Sequence, residues 1–256
     1  MENAAILLCG GKGSRMIRGG VTTHKPLLEI GGMPATRFVV EKLLSNLSFS
    51  QILIVVPTER KDEYEKAMEG IDCEIITQFS PLGTGNAVYV SVKHLSKEIE
   101  NVYVSFGTQP LIKNETVSGS LEIHKKWGFD FTLATVEMEN PYAPLIRDEL
   151  GNVTGSLETH LDGVDKPEYG ETNVGAYWAT KRSLESVLVN LHHDLYIENK
   201  GKYNTISGEL GYPNEMVRGC IDMGLKVGGA LIATEEEMLG IKTPENLAAI
   251  RKIVGE

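Results

Sequence analysis

An apolar run, Ala4-Ala5-Ile6-Leu7-Leu8, opens directly onto Cys9-Gly10-Gly11-Lys12-Gly13-Ser14-Arg15-Met16, and this junction restricts the folds open to the chain. Five apolar residues in a row suit a strand buried on both faces, as in a parallel sheet. Three glycines then let the backbone turn sharply and present its N–H groups unobstructed. Lys12 and Arg15, with Lys25 further on, add three cations to the same neighbourhood. A concave loop with free amides and fixed positive charge suits a polyphosphate. The alternative is an ordinary glycine turn with solvated lysines. Two familiar phosphate loops are excluded. The third position of a dinucleotide fingerprint is Met16, and Lys12 is followed by Gly13 where a Walker loop needs Ser or Thr.

Further along, strand-like and helix-like stretches alternate. Residues 36–47 carry Phe38, Val39, Val40, Leu43 and Leu44 at near-helical spacing. The run Gln51-Ile52-Leu53-Ile54-Val55-Val56-Pro57 is continuously apolar and β-branched, the mark of a central parallel strand. Helices are expected over 59–69, 86–95 and 117–127, and strands over 73–78, 101–106 and 131–136. The stretch 141–170 is rich in glycine, proline and charge, and reads as an antiparallel excursion or a lid. Strands at 175–180 and 226–232 flank a helix over 181–191. Thr243-Pro244-Glu245 opens a last helix, with Thr243 as N-cap and Pro244 at the first helical position. The alternation predicts an α/β fold, a Rossmann-like, doubly wound, mostly parallel sheet with helices on both faces. One domain is expected across 1–256. No hexapeptide repeat occurs, so no appended β-helix acyltransferase domain is expected.

Composition narrows the partners. A net charge of −10 argues against a broad nucleic-acid footprint. Cys9, Cys73 and Cys220 have neither metal-ligand nor paired spacing and read as reduced, partly buried thiols. Cys9 borders the glycine loop, where a small buried hydrophobe is favoured over a nucleophile. The chain starts Met-Glu-Asn and enters a strand without a signal-peptide core, and no apolar run reaches membrane-spanning length. A cytoplasmic protein is expected, and its oligomeric state is left open.

The opening loop resembles the signature of sugar-nucleotide pyrophosphorylases, the nucleotidyltransferases that join a nucleoside triphosphate to a sugar 1-phosphate. That signature runs approximately L-x-x-G-x-G-S/T-R-M/L, followed by a lysine in a K-P-L-like segment; here these are Leu7 to Met16 and Lys25-Pro26-Leu27. A second match is Gln78-Phe79-Ser80-Pro81-Leu82-Gly83-Thr84-Gly85-Asn86-Ala87, which resembles the base-pocket stretch of the family. Gln78 can offer a donor and an acceptor to a pyrimidine edge. The likeness is closest to N-acetylglucosamine-1-phosphate uridylyltransferases, which makes uracil the first choice of base. Glu171-Thr172-Asn173-Val174-Gly175 and Val153-Thr154-Gly155-Ser156-Leu157-Glu158 resemble segments whose Asn and Glu reach the sugar. Asn204-Thr205-Ile206-Ser207-Gly208-Glu209, with Glu215 beyond, is a third. Tyr142-Ala143 stands where the family often has Tyr-Gly, but the arginine that usually follows is Pro144, which leaves the sugar open.

The resemblance implies a set of roles. Leu8, Gly10, Gly11, Lys12, Gly13, Gln78, Gly83, Thr84, Gly107 and Thr108 would bind the nucleotide, with Lys12 and Arg15 on the β- and γ-phosphates. Lys25 would stabilise charge at the α-phosphate, and Glu158 and Asn173 would grip the sugar. The departures fall on the metal. Where the family has G-D-x-P-L-I with a Mg2+-binding Asp, this chain reads Gly107-Thr108-Gln109-Pro110-Leu111-Ile112. Where it has a ligand Asn near the C-terminus, this chain reads Gly240-Ile241-Lys242-Thr243. A hydroxyl and an ammonium do not make a hard-cation site. Neither usual ligand is retained, and Mg2+ stays an open cofactor. Three readings follow. The Lys242 ammonium replaces the metal's charge beside Lys12, Arg15 and Lys25; or Mg2+ arrives with the triphosphate and is held elsewhere; or catalysis is lost and a sugar-nucleotide-binding module remains. A cytidylyl- or guanylyltransferase is the alternative within the enzyme class.

Overall fold

The chain is described from a computed structural model covering residues 2–11, 20, 22–45, 47–157 and 167–256. In chain order its first half holds β1 (Glu2–Leu8), β2 (Glu29–Ile30), β3 (Met33–Pro34), α1 (Ala35–Leu44), β4 (Gln51–Pro57), α2 (Lys61–Ala67), β5 (Glu74–Gln78), α3 (Thr84–Val92) and β6 (Ile99–Phe106). There follow α4 (Asn114–Trp127), β7 (Phe131–Glu139), β8 (Leu145–Arg147), β9 (Val153–Ser156), β10 (Tyr169–Thr180) and α5 (Lys181–Leu195). The last are β11 (Tyr196–Ile197), β12 (Lys202–Tyr203), α6 (Asn214–Asp222), β13 (Val227–Leu231) and α7 (Pro244–Val254).

A seven-stranded sheet in the order β13-β7-β10-β6-β1-β4-β5 forms the centre. Every neighbouring pair is parallel except those of β10, which runs antiparallel between β6 and β7. Because side chains alternate along a strand, both faces of β1 and β4 are apolar. Ile6, Leu53 and Val55 pack with Val88 of α3, Leu184 of α5 and Met216 of α6. Leu7, Ile54 and Val56 pack on the opposite side with Val40 of α1, Tyr64 of α2 and Val117 of α4. The doubly wound, mostly parallel expectation is met. A third cluster, Leu28, Ile30, Leu111, Ile241 and Ile250, joins α7 to the β2–β3 hairpin. It locks together the three loops that carry Lys25, Thr108 and Lys242.

Several bounds differ from expectation. The helix expected over 36–47 ends at Leu44, and that over 59–69 is split into a 3-10 turn at Thr58–Arg60 followed by α2. α3 starts at Thr84 because Gly83, at φ +97°, turns the chain one step earlier. The strand expected at 175–180 begins at Tyr169, and α6 lies where no helix was expected. The 141–170 excursion does contain an antiparallel pair, β8 with β9. That pair is anchored to the sheet. Arg147 donates from Nε and Nη2 to the Glu171 carboxylate at 2.7 Å each, and Thr135 Oγ1 donates to the same group at 2.6 Å. Among the described residues no helix is long and apolar enough to cross a membrane.

One buried group gives the fold a pH dependence. His124 on α4 is 2% exposed, its Nδ1 pairs with Thr132 Oγ1 at 2.9 Å, and its Nε2 has no hydrogen-bond partner among the described residues. Burial pushes its imidazole down from 6.5 to about 4. The unfolded chain therefore takes up this proton first, and the stability it contributes is present above pH 6.5 and lost as pH falls toward 4. Urea unfolding at the two ends of that window should differ by about 3 kcal/mol through this group. His124→Gln should flatten the slope.

Candidate active site

Loops at the C-terminal ends of β1, β5 and β6 meet on one edge of the sheet, where open α/β sheets bind ligands. Gly10 and Gly11 follow β1, the latter at φ +99°. A Cβ on Gly10 would lie 3.5 Å from Gln78 Oε1, so the first glycine loop and the end of β5 face each other. The segment 204–213 crosses beneath them. Leu210 N donates to Leu82 O and Gly85 N donates to Leu210 O, both at 2.8 Å. A Cβ on Gly83 would meet Leu210 O at 2.3 Å, so only glycine fits this crossing.

Beside this crossing lies a cleft of about 230 Å3 whose lining includes Lys25, Thr108, Asn173, Tyr212 and Lys242. Each is placed by local structure. Lys25 begins a 3-10 turn fixed on both sides. His24 before it pairs through Nδ1 with Tyr64 Oη at 2.8 Å and through Nε2 with Gly11 O at 3.1 Å. Behind it Thr36 Oγ1 donates to Pro26 O at 2.9 Å. Thr108 and Lys242 sit on loops joined by Ile241 N donating to Thr108 O at 2.9 Å. Thr243 caps α7 through Asn246 N, and the Lys242 ammonium lies 5.0 Å from the centre of the Tyr142 ring. Asn173 is set by a register break in β10 around Gly175, at φ +87°. Such bulges re-aim side chains. Tyr177 Oη donates to Asn173 Oδ1 at 2.7 Å.

Four polar atoms on cleft-lining residues are buried without a hydrogen-bond partner among the described residues: Gln109 Oε1, Asn173 Nδ2, Tyr212 Oη and Asn214 Oδ1. Native proteins leave few such groups unmade, and a cluster of them marks a place where a polar ligand completes the pairing. Two cations and this set give the cleft the chemistry of a phosphorylated, hydroxyl-rich ligand. Gln109, Tyr212 and Asn214 were invisible to sequence reasoning as site residues. Gln109 directly follows Thr108, and the other two fall inside the 204–215 match, which is the signal that could have found them.

Other expected residues take different places. Leu8 has its side chain in the core, and its carbonyl accepts from Gly107 N at 3.1 Å. Gly107 is a packing glycine, since a Cβ there would press on Cys9 Sγ at 2.5 Å. Cys9 is buried and its thiol is pushed up to about 12, which suits a small hydrophobe rather than a nucleophile. Thr84 Oγ1 reaches Tyr212 O at 3.4 Å. Gln78 does not present both a donor and an acceptor, because its amide nitrogen is committed to Gly83 O at 3.1 Å and Asn86 Oδ1 at 2.8 Å. Its oxygen alone is left to pair with anything in front of it. Lys12, Gly13, Arg15 and Glu158 lie outside the described residues.

Gly10 and Gly11, the Gly83 crossing and the cleft all fall on one sheet edge, and residues 5–163 match the MobA-like NTP transferase domain. The chain belongs to that family. Curated relatives of this NTP transferase include the bifunctional protein GlmU of Caldicellulosiruptor saccharolyticus, 28% identical over 94% of this chain and 50% of that protein. GlmU of Clostridioides difficile is 27% identical over 99% of this chain and 52% of its own length. The chain thus spans about half the length of the curated relatives it matches. Among solved structures, 4-diphosphocytidyl-2C-methyl-D-erythritol synthase from Anaerococcus prevotii superimposes with TM-score 0.67 at 14% identity, covering 100% of this chain and 99% of that one. HddC from Yersinia pseudotuberculosis superimposes with TM-score 0.64 at 17% identity, covering 99% of each. Both share the nucleotidyltransferase α/β fold.

The pyrophosphorylase resemblance implies a divalent cation in this cleft. Hard cations are held by anionic and carbonyl oxygens. The two positions expected to supply them hold a hydroxyl and an ammonium, and no group of three His, Cys, Asp or Glu side chains gathers among the described residues. The residues described do not fit a resident metal.

Proposed function

We propose that this NTP transferase joins a nucleoside triphosphate to a sugar 1-phosphate and releases pyrophosphate. The observation that carries the reading is the cleft lined by Lys25 and Lys242, where Asn173 Nδ2, Gln109 Oε1 and Tyr212 Oη are buried without a hydrogen-bond partner among the described residues. A sugar-phosphate oxygen attacks the α-phosphorus. A phosphorus–oxygen bond forms there as the bond to the β-phosphate oxygen breaks, and the electron pair leaves with pyrophosphate. Such transfer depends on positioning and charge stabilisation rather than on a covalent protein intermediate.

In this reading Lys25 stabilises charge at the α-phosphate. Lys12 and Arg15 hold the β- and γ-phosphates, and Gly10 and Gly11 offer backbone to them. Lys242, facing the same cleft, adds a cation where relatives of the pyrophosphorylase type keep a metal ligand; as a point charge it does part of that electrostatic work. Gln78, Gly83 and Thr84 form the base side, and Asn173, with Glu158, the sugar side. Uracil is the base favoured by the resemblance. Nucleotide substrates and three free cysteines suit a reducing, cytoplasmic setting.

The test is pyrophosphate release across a panel of nucleoside triphosphates and sugar 1-phosphates. The reading expects turnover that needs both substrates and favours a pyrimidine. UDP-sugar binding by calorimetry with no turnover across the panel would instead assign a sugar-nucleotide-binding module.

A further inference from the structure

Behind the base side runs a chain of hydrogen bonds that extends well past the site. Gln78 Nε2 donates to Gly83 O at 3.1 Å and to Asn86 Oδ1 at 2.8 Å. Asn86 Nδ2 donates to Tyr203 Oη at 2.9 Å, and Tyr203 Oη pairs with His192 Nδ1 at 2.8 Å. Gln78, Asn86 and Tyr203 are 8%, 6% and 1% exposed, so water has little access to these bonds. The His192 ring is clamped between Tyr89, at 4.3 Å and 15°, and Tyr196, at 4.7 Å and 20°.

The direction of the bonds from Gln78 to Tyr203 is dictated by the first of them. A backbone carbonyl only accepts, so the nitrogen of the Gln78 amide must face Gly83. Its second N–H then meets the Asn86 oxygen, which turns the Asn86 nitrogen toward Tyr203. Tyr203 Oη, which accepts from Asn86, also pairs with His192 Nδ1, and it donates there when the neutral imidazole carries its proton on Nε2. Burial lowers the proton affinity of His192, in keeping with that neutral acceptor. The Gln78 oxygen is consequently turned away from the network, toward Gly10.

We propose that Asn86, Tyr203 and His192 are positioning residues for base choice, holding Gln78 as an acceptor only, so that the substrate base must offer it an N–H. This inference rests on the nucleotidyltransferase reading above. Two pyrimidine groups supply such a donor, the ring N3–H of uracil and the exocyclic amine of cytosine. A base that meets Gln78 only with acceptors leaves two oxygens facing each other, the arrangement by which buried polar sites reject a wrong ligand.

Isosteric nucleotides test it. Calorimetry would compare UTP with 3-deaza-UTP, which has C–H for N3–H, and CTP with its 4-deamino analogue, which lacks the amine. The expected result is a loss of at least about tenfold in affinity for one donor-less analogue against its parent, a factor typical of one buried hydrogen bond. The affected pair identifies the donor. In Asn86→Leu the parent-to-analogue ratio should fall below about threefold, while Asn86→Asp, which still accepts from Gln78, should restore it. Tyr203→Phe gives the same readout if Asn86→Leu does not fold. A residue that only supports the fold would weaken parent and analogue equally, so an unchanged ratio in Asn86→Leu or Tyr203→Phe overturns the proposal. Equal binding of parent and analogue in both wild-type pairs overturns it too, while leaving the nucleotidyltransferase reading intact. Failure of every nucleoside triphosphate to bind would remove both.

Discussion

Lys25→Ala is expected to lower pyrophosphate release by about 10²- to 10³-fold, the range for removing one preorganised donor from developing charge. The backbone at this position is held without the lysine side chain, by His24 on Gly11 and Tyr64 and by Thr36 on Pro26. The thermal midpoint should therefore stay close to wild type, since substitutions outside the core usually move stability by about 0.5 kcal/mol or less. If Lys25 meets charge that grows only as the α-phosphorus is attacked, kcat falls more than KM rises. Steady-state kinetics with a pyrophosphate-coupled assay checks this. Near-normal kcat in a folded variant would remove Lys25 from the chemistry.

The second large effect concerns Thr108 and Lys242. The structure sets their loops side by side through the Ile241 N to Thr108 O bond, so the pair can be exchanged without rebuilding the cleft. Lys242→Ala alone should cost about 10²-fold or more, because a cation facing the phosphates is lost and nothing replaces it. Thr108→Asp with Lys242→Asn should behave differently. It installs a carboxylate and an amide oxygen, the ligand types a hard cation wants, at neighbouring points of the cleft. The double variant is expected to be nearly inactive in chelator and to regain turnover when Mg2+ is added. A Mg2+ response identical to wild type would mean that these positions do not govern the phosphate charge.

Much of the fold can be read directly from the chain. The run 51–57 is apolar at every step, because both its faces are covered, and β4 has those bounds. Thr243 and Pro244 mark their helix because cap and first-turn chemistry are local. The antiparallel β10 is different, since strand direction depends on distant partners. α6 is masked by its entry through Tyr212-Pro213-Asn214, although Met216, Val217 and Cys220 do fall on one buried side. At the site, Lys25, Thr108, Asn173 and Lys242 stand in separate sequence segments, yet the structure brings them to one cleft. Gln78 shows the limit of sequence reading. Its residue type offers a donor and an acceptor, but only the fold reveals that Gly83 and Asn86 occupy the donor. Gln109, Tyr212 and Asn214 lie beside or inside matched segments, and what sets them apart is a buried polar atom on each without a partner among the described residues.

In the proposed reaction protein cations carry the charge of transfer, in a cleft whose described residues do not fit a metal. Pyrophosphate release from UTP and a sugar 1-phosphate, measured in Mg2+ and again in excess chelator, tests this most directly. Turnover should survive chelation and fall by about 10²-fold or more in Lys242→Ala. Turnover that vanishes with chelator and returns with Mg2+ in the wild-type protein would contradict it.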